Sequence, residues 1–103
     1  MFTNKRYMTK RVANELPPEL IFFIWERIDQ LRLESKDEID YLQVFDLSAI
    51  NQSDVYENQL IVHRSEKPSY KMSYAATVSK PINAKLYAID SGAESTLLFS
   101  EEY

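Results

Sequence analysis

Cysteine is absent from the 103 residues, and glycine occurs once, at Gly92. The first absence excludes disulfides, thiolate zinc sites, iron–sulfur ligation and cysteine nucleophiles. The second is as restrictive. Ordinary chains hold about 7% glycine, and loops that cradle phosphate need several glycines for positive φ and close backbone approach. No Walker loop, dinucleotide fingerprint or kinase-type glycine loop can be written here. Long apolar runs are missing too. The longest, Leu20 to Trp25, has six residues, where a membrane span needs ~20. Residues 1–11 show no apolar segment followed by a small-residue cleavage site. The expected location is the cytoplasm, with no membrane contact.

What is present suits one domain over residues 1–103. The apolar fraction is 45% and the charged fraction 27%, within the range of ordered globular chains. One Trp, seven Tyr and five Phe supply large units for burial without metal or disulfide support. Charge is uneven. Residues 1–12 carry four cations and no acid, residues 13–57 have a net of −8, and residues 58–103 balance, for −4 overall. A chain of this sign does not attract nucleic acid in bulk, because phosphate affinity requires a clustered basic surface.

Two periodicities divide the chain. Residues 5–12 alternate moderately and predict an N-terminal strand. From Pro18 to about Glu34 the period is helical. Leu20, Phe23, Ile24, Ile28 and Leu31 form one stripe, widened by Ile21 and Trp25, with Glu26, Asp29, Gln30 and Glu34 opposite. Pro17-Pro18 and Glu19 suit a helix start, proline for its missing N–H and the acid for the dipole. After Lys36 the period becomes two. Ile39–Leu47, Leu60–Arg64, Tyr70–Val78, Ala84–Asp90 and Thr96–Phe99 predict strands, the last two as a hairpin around Gly92. Leu42 and Val44 make the first of these apolar on both faces, which marks an interior strand. The expected fold class is α+β, with one amphipathic helix on one face of a mainly antiparallel, meander-type sheet of five or six strands. The second sheet face is then either bare or covered by a partner.

Several segments have a familiar pattern. They are Phe2-Thr3-Asn4-Lys5-Arg6-Tyr7, the Pro17 to Trp25 helix opening, Asp40-Tyr41-Leu42-Gln43-Val44-Phe45, His63-Arg64, Ile89-Asp90, Ser95-Thr96 and Glu101-Glu102-Tyr103. In these the chain resembles a family of hypothetical proteins from Gram-positive bacteria and their mobile elements, domain of unknown function nine-sixty. The resemblance runs nearly end to end. It implies a bacterial or phage-type cytosolic protein that stands alone, and it supplies no catalytic residue and no ligand.

His63 is the only histidine, so any Ser-His-Asp arrangement must use it. It could act as a general base in a small enzyme or small-molecule binder, oriented by Glu66 or a nearby carboxylate, or join Arg64 in an anion contact. The plainer reading is a half-buried or surface structural histidine in a strand. Asp37, Glu38 and Asp40 invite a carboxylate metal site, but their spacing fits no ligand signature, so neither metal nor cofactor is expected. Lys5, Arg6, Lys10 and Arg11 with Tyr7 form the one basic, aromatic-interleaved stretch. It could meet phosphates and stack a base, guard an edge strand, or dock on the acidic 13–57 block. Tyr70 and Tyr74, with Met72 between them, suit either core packing or protein contact. Phe22 and Leu33 fall on the polar arc of the helix, and Trp25 lies partway toward them, which suggests self-association or a protein partner. The leading expectation is therefore a non-enzymatic protein-interaction module.

Overall fold

Residues 1–103 are described by a computed structural model. The chain runs β1 (Lys5–Met8), α1 (Lys10–Glu15), α2 (Pro18–Glu34), β2 (Leu42–Ala49), β3 (Gln59–Ser65), β4 (Tyr70–Ala76), β5 (Ala84–Asp90) and β6 (Glu94–Phe99). It closes with a 3₁₀ turn, Ser100–Glu102. The six strands form one sheet in the order β1-β6-β5-β2-β3-β4, antiparallel except for the β1–β6 pair.

Helix α2 spans the residues its periodicity predicts. Pro18 opens it, and Leu20, Ile24, Ile28 and Leu31 are buried against the sheet. Each such burial contributes about 1.5–3 kcal/mol. They meet Phe45, Leu47, Ile61, Leu86, Leu97 and Phe99, the inward positions of the four central strands. The α+β class, the covering helix and the β5–β6 hairpin stand as expected.

Two features depart from the expectation. Residues 5–12 are not one strand, because β1 stops at Met8 and Thr9 caps a helix. Its Oγ1 accepts from the Val12 N–H at 3.2 Å. A capping threonine followed by six residues compatible with a helix outweighs weak alternation. The strand order also breaks a simple meander. β2, β3 and β4 pair in sequence, but the chain then returns across the sheet so that β5 pairs with β2. β2 and β3 thus become interior strands, and β4 is left at an edge.

Side chains rather than local periodicity fix that return. Asn58 exchanges two hydrogen bonds with Val78, both 2.9 Å. Asn83 Oδ1 accepts from the Ala49 N–H at 2.9 Å, and Glu19 accepts from the Ser79 N–H at 2.6 Å. Gln59 is fully buried. Its amide donates to the carbonyls of Ser48, Leu60 and Ile82, and its Oε1 accepts from the Ile82 N–H at 2.8 Å. Gln59→Leu strands these backbone groups in the interior, and an expected loss of about 2 kcal/mol follows. Urea unfolding of the variant against the parent checks it, and an unchanged midpoint would show that water replaces the amide.

Candidate functional site

The structure separates the sequence candidates more than it unites them. Consecutive residues of a strand point to opposite faces, so His63 and Arg64 share no site. His63 faces α2 and is 0% exposed, where a half-buried or surface histidine was expected. The ring stacks on Phe45 with centroids 4.3 Å apart, and Tyr70 meets its edge at 5.0 Å. Gln43, also fully buried, donates from Nε2 to the Asp40 carbonyl, which aims its Oε1 at His63 Nε2, 2.7 Å away. Nε2 therefore carries the proton, and Nδ1 is left buried with no partner. Burial first, and the Arg27 charge second, push the histidine down to about 4, so it is neutral near pH 7. Glu66 lies exposed in the β3–β4 turn and does not orient it.

Tyr70 and Tyr74 lean together over the inner face of β4, their hydroxyls 3.4 Å apart. Both are half-buried. Tyr74 packs edge-on against Phe23, and the Arg27 guanidinium lies over both rings at 5.1 and 5.2 Å. Burial first, then the bond to Tyr74, raises the Tyr70 phenol to about 12, so it stays neutral. Arg27 Nε, like His63 Nδ1, is buried without a partner. The tyrosines thus roof a polar seam running from Arg27 to Gln43. His63 lines neither of the two cavities beside it, about 380 and 280 Å³. The larger opens on the opposite face, between Arg64, Lys67, Lys71, Ser69 and Tyr41.

Phe22 and Leu33 are 70% and 81% exposed and point away from the sheet. They stand eleven residues apart, roughly 16 Å along the helix, with Glu26, Asp29 and Gln30 between them. They make no continuous apolar strip. Trp25 is half-buried against Phe2 and the Arg6 guanidinium. The basic stretch is split between two elements. Lys5 and Arg6 lie on β1, while Lys10 and Arg11 lie on α1. Arg6 is paired with Asp29, one of the two bonds at 2.9 Å. Arg11 is held by Glu15 and Glu101 over the Phe99 ring.

A second apolar row lies on the face of the sheet opposite α2, with Val44 and Leu98 buried and Leu42, Tyr87 and Ile89 half-buried. Leu42, Val44, Tyr87, Ile89 and Leu98 are adjacent across β2, β5 and β6, through the pairs Leu42–Ile89, Val44–Tyr87 and Tyr87–Leu98. Tyr103 meets Tyr87 edge-on at 5.9 Å, and Tyr7 and Tyr41 stand exposed. Arg64 paired with Asp46, together with Lys71 and Lys85, makes up the charged side of this face. The signal for it in the sequence is the two-sided apolar pattern of β2. Tyr87 and Leu98 gave no separate signal, because they read as ordinary strand residues.

No helix is long and apolar enough to cross a membrane. The chain belongs to the family described as staphylococcal protein of unknown function (DUF960), whose model matches residues 5–102. It is similar to a protein of unknown function from Enterococcus faecalis known from a crystal structure. The two are 26% identical with a TM-score of 0.73, over 97% of this chain and 91% of the other. Among curated proteins none matches.

Proposed function

We propose that this member of the family is a non-enzymatic, cytoplasmic protein-interaction module whose working surface is the face of the sheet opposite α2. One observation carries the reading. An apolar row of Leu42, Val44, Tyr87, Ile89 and Leu98 lies across the central strands on the face opposite α2, where Leu42, Tyr87 and Ile89 stay half-exposed beside Tyr103. A sheet in a layered fold is stabilised by packing each apolar face against another layer, and exposed apolar patches rimmed by polar groups characterise protein contacts. Tyrosine enrichment fits, since Tyr offers a large apolar body with a polar tip. The non-enzymatic part rests on the enclosure of the single imidazole between Phe45 and Tyr70.

The test is photo-crosslinking in a bacterial host. A benzophenone side chain placed at Tyr87 is expected to give a discrete protein adduct, while one placed at Phe22 gives none. Leu42→Lys is expected to abolish the Tyr87 adduct while the circular dichroism spectrum is retained. Adducts at Phe22 alone, or none at either position, would move the contact off this face.

A further inference from the structure

We propose that the chain pairs with a second copy of itself through β4, edge to edge and antiparallel, about a two-fold axis at Ser73. The two edges of the sheet are built differently. β1 is four residues long and carries Lys5 and Arg6, the usual protection of an edge against unwanted pairing. β4 is seven residues long, Tyr70-Lys71-Met72-Ser73-Tyr74-Ala75-Ala76, with one charge and no proline. All its ladder bonds run to β3, and no backbone group of another element bonds to its outer rim. That rim is a row of free donors and acceptors.

The pattern of β4 is complementary to itself. Centred on Ser73, an antiparallel pair sets Tyr70 opposite Ala76 of the second copy, Lys71 opposite Ala75, Met72 opposite Tyr74, and Ser73 opposite its own counterpart. Each large residue at the strand ends meets a small one, and the lone cation meets alanine, never itself. Directly opposed residues bring their Cβ atoms within ~4.5–5.5 Å. This register also accounts for Met72, which points to the helix side of the sheet yet is 48% exposed. Helix α2 meets β4 at Tyr74, through Phe23 and Arg27, and Met72 beside it stays exposed; Tyr74 of the second copy supplies the missing contact. The axis runs perpendicular to the sheet, because paired side chains share a face. Both open faces then lie on one side of a twelve-stranded sheet.

Sedimentation velocity of the purified chain is expected to show a concentration-dependent dimer. Ser73→Asp places like charges directly across the axis and is expected to weaken the dimer about tenfold or more. Ser73→Lys is expected to do the same, and an equimolar mixture of the two variants is expected to restore association. Because the chain has no cysteine, Ser73→Cys reports the contact without background. It is expected to crosslink under mild oxidation, with Lys71→Cys much slower. A monomer at all concentrations, a dimer indifferent to charge at residue 73, or equal crosslinking from residues 71 and 73 would overturn the proposal. The Tyr87 photo-adduct reads the open face separately, so either surface can fail while the other stands.

Discussion

Acidification from pH 7 to pH 4 is expected to remove about 3 kcal/mol of stability through His63 alone. Its value falls from 6.5 in the unfolded chain to about 4 in the fold, because burial and the Arg27 charge disfavour the imidazolium. Between those two values the unfolded chain binds a proton that the folded chain does not. Stability therefore drops as pH is lowered through this window, is level above it, and levels again below it. The direction is opposite to that of a histidine held by a carboxylate. Urea unfolding at a series of pH values measures the slope. His63→Phe keeps an aromatic ring between Phe45 and Tyr70 but cannot titrate. It is expected to cost about 1–3 kcal/mol at pH 7, since Gln43 Oε1 loses its donor, and to flatten the profile above pH 4. A parent profile that is already flat between 6.5 and 4 would contradict the enclosure of the ring. Asp29 and Asp90 have lowered values, so their contributions are lost in a separate window, below the ordinary value of 3.8.

Asp90→Ala is expected to destabilise the fold by about 3 kcal/mol, through the loss of three hydrogen bonds that leaves the Phe2 and Gly92 N–H groups without an acceptor. Asp90 closes β5 at the hairpin and is buried. Its carboxylate accepts from the Phe2 N–H at 2.6 Å, the Gly92 N–H at 2.7 Å and the Asn4 side chain at 2.9 Å. Burial raises the carboxyl, but these bonds outweigh it, and the net shift is downward. The sign is that of an ordinary structural acid. The stabilisation is present above the unfolded value and is lost as pH falls through the lower folded one. The same carboxylate holds Phe2 at φ 61°, a backbone region costly for a side-chain-bearing residue, with its ring buried in the core. Loss of Asp90 is therefore expected to loosen the N-terminal segment first. Hydrogen exchange would show it as faster exchange at Thr9, whose N–H is bonded to the Leu97 carbonyl. Exchange there as slow as in the parent, with an unchanged urea midpoint, would mean that burial of Phe2 alone anchors the segment.

These two residues mark what was legible. The sequence offers Asp90 only within the Ile89-Asp90 pattern and His63 as a single histidine expected half-buried or at the surface, whereas both turn out to be buried. Neither partner of His63 was recognisable, because Gln43 and Tyr70 come from different strands and meet only through the β2–β3–β4 register. Gln59 was missed for a related reason. A polar residue at a strand start reads as loop until its amide is seen bonded to three carbonyls. Phe22 and Leu33 were correctly placed on the outer arc, but helical angle alone ignores the ~16 Å between them.

The class of the fold and its largest pieces are legible in the order of the amino acids. Period and proline placement delimit α2, alternation marks the strands, and the two-sided β2 foretells an interior position, because burial on a helix or a strand leaves a local repeat. Which strands are neighbours is not legible there. The return of β5 to β2, the parallel β1–β6 pair and the open edge at β4 depend on contacts between residues far apart in the chain, and such contacts leave no periodic trace in it.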